Sequence, residues 1–318
     1  MGMVTMTVES EILAWLREHL PSSPRLAVGW GDDAAVLAEF DQAQAVVTTD
    51  MLTDGVDFVL NEIDPRQAGH KALGVNLSDL AAMAAKPVAA FVSLVLPRQG
   101  IGKLSATELA IELYHGILPL AEQFGVAVAG GDTNTWDGPL AISITAIGET
   151  TARGSLTRVG ACVGDQMLVT GQLGGSILGR HLAVEPRVRE ALLLHERYEL
   201  HAGIDISDGL SLDASRLAEA SGVGVLIDPK AIPIAEAARR LSERDGRSPF
   251  DHAWSDGEDF ELLLAVPADV ANEMIRQQPL EVSITRIGEM IEPAGLWLET
   301  DDGPASVAPE GFQHRGDA

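Results

Sequence analysis

Five short acidic motifs are the residues most able to do chemistry: Gly31-Asp32-Asp33, Thr48-Thr49-Asp50, Asn76-Leu77-Ser78-Asp79, Gly130-Gly131-Asp132-Thr133 and Asp205-Ile206-Ser207-Asp208-Gly209. Any one of them has a plain structural explanation, since Asp after Gly makes turns and Asp before a helix makes N-caps. Two do not fit that explanation. Asp79 sits inside an apolar helical pattern, Ala72-Leu73…Leu77…Leu80-Ala81, where an unpaired carboxylate is costly. Asp50 closes the strand-like run from Val46 without a glycine to make a turn. Five such groups gathered at sheet ends would repel one another unless cations sat between them. Oxygen donors without usable sulfur point to Mg²⁺ or another hard divalent ion.

Gly130-Gly131 and Gly209 suit a second requirement, because a backbone without Cβ can bring its N–H groups close to phosphate oxygens. A tight turn explains each of them equally well. Arg158 and the Pro186-Arg187 pair offer guanidinium forks for phosphate, although an isolated arginine on an acidic protein is more often a surface ion-pair partner. The run Asp256-Gly257-Glu258-Asp259-Phe260-Glu261-Leu262 reads as a solvated strand entrance. The eight histidines show no metal spacing, with His252 and His314 expected at the surface.

Several chemistries are excluded. Gly171-Gln-Leu-Gly-Gly-Ser176 lacks the lysine of a P-loop, and no H-R-D, H-E-x-x-H or G-x-S-x-G motif occurs. Cys162 is the one cysteine, which rules out an intramolecular disulfide and, on the count of thiols, a cysteine-based zinc or iron–sulfur site. With 47 acidic against 22 basic residues the net charge is −25, which repels nucleic acid and anionic membranes. An anionic substrate would then need a local cation. Met1–Trp15 shows no secretory pattern, and the apolar stretch Leu80–Leu96 is interrupted by Lys86-Pro87, so a cytoplasmic protein without a membrane span is expected.

The elements that must position these residues alternate irregularly, which predicts an α+β architecture in two domains, 1–150 and 151–318. Helices are expected at Glu9–Leu20, Pro65–Ala85 and Ser105–Phe124, with strands at Ala43–Thr48, Ala89–Leu96, Val126–Ala129 and Leu140–Ile147. The second half should hold strands at Gln166–Thr170, near Gly203, at Gly224–Ile227 and at Phe260–Val266, then a ribbon over Thr285–Glu299. Its expected helices are Ser176–Ala183, Glu190–Leu200, Leu210–Ser221, Ile234–Glu243 and Ala268–Gln277. First-half strands such as Val92-Ser-Leu-Val-Leu96 are apolar on both faces, so one face should pack on helices and the other on a second subunit.

Together, Val75-Asn-Leu-Ser-Asp-Leu-Ala-Ala-Met83, Gly130-Gly-Asp-Thr133, Asp205-Ile-Ser-Asp-Gly-Leu210 and Gly257-Glu-Asp-Phe-Glu-Leu262 resemble the thiamine-monophosphate kinase family. The likeness runs in order from about Gly29 to Phe312. The aspartate motifs are shared with the wider aminoimidazole ribonucleotide synthetase-like superfamily, whereas the Gly-Glu-Asp-aromatic-Glu-Leu stretch favours the kinase. The resemblance implies a two-domain fold, a homodimer that pairs the N-terminal sheets, and ATP bound between the domains. It implies phosphorylation of thiamine monophosphate to thiamine diphosphate, the last step of that biosynthesis, by direct in-line transfer assisted by several Mg²⁺ ions. Asp33, Thr48, Thr49, Asp50, Asp79, Asp132, Asp205 and Asp208 would be metal ligands. Tyr114, Gly131, Asp132, Arg158 and Ser207 would touch ATP, and Glu258 and Phe312 the substrate. Asp57 stands where the family often has a substrate-touching histidine. No general base is expected, because a phosphate monoester with a second pKa of about 6 is already nucleophilic near neutrality. Two other readings remain: a superfamily cousin that activates an amide or formyl oxygen, and a non-catalytic ATP- and Mg²⁺-binding protein.

Overall fold

The computed structural model describes residues 8–28, 36–38 and 43–313, which divide into two compact units, Met1–Leu80 with Lys86–Thr150, and Ala81–Ala85 with Thr151–Ala318. The expected metal ligand Asp33 and the histidine His314 lie outside the described residues.

The first unit begins with α1 (Val8–His19), a small antiparallel pair β1 (Leu26–Val28) and β2 (Val36–Leu37), then β3 (Ala45–Thr53). It continues through α2 (Pro65–Ala82), β4 (Lys86–Pro97), α3 (Ala106–Phe124), β5 (Ala127–Trp136) and β6 (Ala141–Glu149). The main sheet has the order β3-β6-β4-β5, antiparallel except for the β4–β5 pair. Ser105 and Glu108 form a capping box that starts α3, and Gly125 in the left-handed region ends it. α2 is buried almost all round, including Lys71, Asn76 and Ser78. Glycine makes its close approach to α3 possible: a Cβ on Gly69 would stand 2.0 Å from the Leu113 carbonyl oxygen, and one on Gly116 1.9 Å from that of Arg66.

Two expectations change in this unit. β3 does not stop at Asp50 but continues to Thr53, so Asp50 is a mid-strand residue. β5 runs through Gly130-Gly131-Asp132-Thr133 instead of turning there, because β4 beside it supplies parallel partners as far as Trp136.

The second unit is built on one sheet, β13-β12-β9-β11-β7-β10-β8. Its elements in chain order are β7 (Gln166–Thr170), α4 (Val188–Arg197), β8 (Ala202–Asp205), α5 (Leu210–Ser221) and β9 (Gly224–Ile227). Then come α6 (Glu236–Asp245), α7 (Pro249–Ser255), β10 (Leu262–Val266), α8 (Ala268–Gln277), β11 (Ile284–Ile291), β12 (Gly295–Leu298) and β13 (Ala305–Val307). Met167, Val169, Ile204, Leu217, Val225 and Ile287 belong to its core. The helix expected over Ser176–Ala183 is instead two short 3₁₀ turns, since Gly179 between them takes φ +134, outside any helix. The short helix α7 was not expected. Ser248 and Asp251 cap it, and it buries His252 completely, with Nδ1 2.6 Å from Asp256 Oδ2 and Nε2 3.3 Å from Asp245 Oδ1. That corrects the surface placement expected for His252. The fold class is α+β, as the alternation predicts, and no helix among the described residues is long and apolar enough to cross a membrane.

Candidate active site

In the first unit, strand alternation decides which motif residues meet. Thr48, Asp50 and Leu52 share the face of β3 turned towards α2, and Thr48 Oγ1 donates to Asp79 Oδ2. The Asp50 and Asp79 carboxyls also lie within hydrogen-bonding reach of each other. Burial first, then the charges of Asp79 and Asp57, push the Asp50 carboxyl up to about 7. Asp57 comes from the turn after β3. Its Oδ2 accepts from the Thr53 N–H at 2.6 Å, and its carbonyl accepts from the buried Lys71 Nζ at 2.7 Å. Three carboxyls and a hydroxyl are thus gathered by a strand, a turn and a helix.

Two residues of the expected metal set are not gathered there. The Thr49 side chain points to the opposite face of β3, where its Oγ1 accepts from Thr145 Oγ1 at 3.0 Å. Asp132 pairs in register with Ser93, one residue along from the row that joins Asp50, Ile144, Val92 and Gly131. Its exposed carboxylate therefore leaves the other face, where Oδ1 accepts from the Thr133 N–H at 2.8 Å. Gly131 is needed as glycine, because a Cβ would lie 1.8 Å from the Val92 carbonyl oxygen. Tyr114, expected beside adenine, has its ring buried in the unit's core, 1% exposed, with Trp15 at a centroid distance of 6.2 Å.

In the second unit, three separate stretches of chain are laced by backbone hydrogen bonds. Glu258 N–H donates to Ser207 O at 2.7 Å, Phe260 N–H to Ile206 O at 2.8 Å, and Phe312 N–H to Asp208 O at 2.9 Å. Asp205, Ser207, Asp208, Glu258 and Phe312 are thereby brought together, with Asp205 buried and Phe312 47% exposed. Glu258 and Phe260 both hold positive φ, +54 and +52, a strained backbone for side-chain-bearing residues. Arg158 is exposed, and its carbonyl accepts from Ser221 Oγ at 2.9 Å.

The groups that hold these stretches were not expected. Asp213 in the first turn of α5 accepts from the N–H groups of Ser207 and Asp208 at 3.1 and 2.9 Å. Arg216 pairs with both Asp208 and Asp213. Burial pushes the Asp213 carboxyl up to about 6 against the pull of the Asp208 N–H and of Arg216. The reading of residues 256–262 as a solvated entrance is also overturned, since Asp259 is 4% and Glu261 1% exposed. Arg180 pairs with Asp259, whose Oδ1 also accepts from the Gly174 N–H at 2.9 Å. Arg187 grips Glu261 with two bonds of 2.8 and 2.7 Å, and Thr170 Oγ1 adds a third at 2.7 Å. Arg187 is therefore a structural partner and not a free phosphate fork.

Known proteins contain both of these units. Residues 31–150 match the family model for the AIR synthase related protein, N-terminal domain, and residues 165–298 that for its C-terminal domain. The chain is 45% identical over 315 residues to thiamine-monophosphate kinase of Rhodopirellula baltica, covering 96% of this chain and 97% of that protein. This chain belongs to the thiamine-monophosphate kinase family. The Escherichia coli K12 member is 32% identical over 318 residues, 92% of this chain and 94% of its own. Among solved structures, the thiamine-monophosphate kinase of Stenotrophomonas maltophilia K279a superposes with a TM-score of 0.78 at 30% identity, covering 93% of this chain and 96% of that one. AaThiL complexed with AMPPCP and TMP gives 0.75 at 28% identity, covering 98% and 100%. A hydrogenase maturation protein HypE in complex with ATP, at 18% identity and a TM-score of 0.76, shares the fold.

Proposed function

We propose that this chain transfers the γ-phosphoryl group of ATP to thiamine monophosphate, giving thiamine diphosphate and ADP. The observation that carries the reading is 45% identity to a thiamine-monophosphate kinase along 96% of the chain. AaThiL, a relative by structure, has been captured with AMPPCP and TMP.

The donor set suits Mg²⁺. Asp50, Asp79 and Thr48 offer oxygen alone, and the two carboxyls stand in mutual contact at a half-buried position, an arrangement a hard divalent cation relieves. One turn before Asp79 on α2, the buried Asn76 Oδ1 has no hydrogen-bond partner. Thr48, Asp50 and Asp79 from the first unit, and Asp205 and Asp208 from the second, are the proposed ligands, with Asp33 by its motif and Thr49 through its backbone. Bound there, Mg²⁺ supplies charge neutralisation for two anionic reactants. Gly131, Asp132, Arg158 and Ser207 are proposed nucleotide contacts.

The chain's own part is positioning. Near pH 7 the acceptor phosphate is largely a dianion, so no side chain has to remove a proton from it. Glu258, fixed at positive φ, presents a carboxylate to the cationic thiazolium, while Phe312 offers an apolar surface beside it. Asp57 is proposed as a further substrate contact. With the nucleophile already charged, direct in-line transfer needs no phosphoenzyme. A homodimer is part of this reading, supported by the open face of the first unit's sheet, where Val47 and Met51 are exposed beside Phe91, Val95 and Ile147. The free, exposed thiol of Cys162 suits a reducing cytoplasm.

The test is ADP release with and without thiamine monophosphate, with thiamine and aminoimidazole precursors as alternatives. Stimulation by thiamine monophosphate alone supports the kinase. Absence of that stimulation removes it.

A further inference from the structure

Cys162 and Asp165 close a four-residue turn leading into β7, with Asp165 N–H donating to the Cys162 carbonyl at 3.0 Å and Gly164 at φ +94 making the bend. The Asp165 carboxylate folds back to accept from the Cys162 N–H at 2.7 Å. His201, the residue before β8, brings Nδ1 to 2.8 Å from the same carboxylate oxygen. The Cys162 sulfur, an Asp165 oxygen and a His201 nitrogen all lie within 4.8 Å of one another. No step of the proposed phosphoryl transfer uses any of the three.

Counting thiols excluded sites built from several cysteines, but a mixed site needs only one. Sulfur, nitrogen and oxygen donors together match a borderline-soft divalent ion such as Zn²⁺, which in its open sites takes three protein ligands and leaves the fourth position to water. Mg²⁺ disfavours thiolate and imidazole, so this set selects against the ion suited to the carboxylate motifs. His201 also has the outer partner typical of a metal-bound imidazole, because the Glu199 carboxylate lies 3.4 Å from its second nitrogen, Nε2. The three donors come from two places in the chain, a turn and the start of a strand. An ion there would tie them together.

We propose that Cys162, Asp165 and His201 form a binding site for a zinc-like divalent cation, clamping the turn before β7 to the start of β8. The full chain, stripped of metal and then held in excess Mg²⁺ to occupy the oxygen sites, is titrated with Co²⁺ and, separately, Zn²⁺. Thiolate bound to Co²⁺ gives a near-ultraviolet charge-transfer band that carboxylates cannot produce. The band should saturate at one ion per chain, disappear in Cys162→Ser, and weaken in His201→Gln. Glu199→Gln should lower affinity by about tenfold. Zn²⁺ should slow alkylation of Cys162 by iodoacetamide and raise the melting temperature of the wild type. Absence of the band, or alkylation at the same rate with and without Zn²⁺, would overturn the site and leave a plain Asp165–His201 ion pair. A band that survives Cys162→Ser would overturn it too.

Discussion

Replacing Asp50 by Asn removes one charge from the middle of β3 and leaves the side-chain volume nearly unchanged. Asp50 titrates near 7 in the folded chain against an ordinary 3.8, so the fold binds this proton more tightly than the unfolded chain does. Without metal, its ionisation therefore costs stability as pH rises from about 4 to about 7, and the whole cost is present above that range. A shift of about three units corresponds to about 4 kcal/mol at most. Asp50 is partly exposed and salt screens it, so about half of that, roughly 2 kcal/mol, is the expected cost. For a domain of this size 1 kcal/mol moves Tm by about 2–4 °C. In chelator at pH 8, Asp50→Asn should then melt about 4–8 °C above wild type, using the rate just given. The gap should shrink towards zero near pH 4. Adding Mg²⁺ should raise the melting temperature of the wild type and do much less for the variant, and ADP release by the variant should be lost. A variant that melts below wild type at pH 8 without metal refutes the crowded-carboxylate argument. Near-wild-type turnover at ordinary Mg²⁺ refutes the assignment of Asp50 as a ligand.

Three further outcomes are expected. Glu258→Gln should raise KM for thiamine monophosphate by roughly 10- to 150-fold, the worth of one charge-assisted contact, and leave KM for ATP nearly unchanged; an unchanged KM removes Glu258 from the substrate. Arg187→Met strands the buried Glu261 and should cost about 3–5 kcal/mol in denaturant unfolding, whereas a loss below about 1 kcal/mol would mean that the pair is relaxed by water. The wild type should sediment as a dimer at micromolar concentration and Met51→Lys, on the open sheet face, should shift it to monomer; a monomeric wild type defeats the dimer.

Much of the second unit was legible because its elements are short, bounded by glycine or proline, and regular in period. Gln166–Thr170, Leu210–Ser221, Gly224–Ile227 and Ala268–Gln277 are found with the expected bounds. The failures have physical causes. Gly130-Gly131 is a turn by local preference, and what keeps it extended is a long-range partner: β4 is 12 residues long and leaves no room for a Cβ at Gly131. Gly179 is the opposite case, where a local conformation overrides helical periodicity. Asp259 and Glu261 look solvated in a run of four carboxylates, yet Arg180 and Arg187, separated from them by 79 and 74 residues, accompany them into the interior. Nothing near residues 256–262 could signal that pairing, although two arginines close after β7 in a chain poor in cations were a hint.

The metal motifs carry a subtler lesson, in Thr48-Thr49-Asp50. Taken as a unit, the three residues form one set of donors. Taken as a strand, they cannot, because successive side chains leave opposite faces. The fold obeys the strand: Thr48 and Asp50 meet Asp79, and Thr49 meets Thr145 across the sheet. That split follows from the sequence once residues 46–50 are recognised as extended. The same rule separates Asp132 from the Asp50 group, but only through the register of three strand pairings, which no local pattern contains. Side-chain direction within one strand is thus a sequence-level constraint on any ligand set, whereas direction across strands is a property of the fold. Alternation along β3 alone withdraws the Thr49 hydroxyl from the Asp50 group; withdrawing Asp132 takes the pairing of β3 with β6 and of β4 with both β6 and β5.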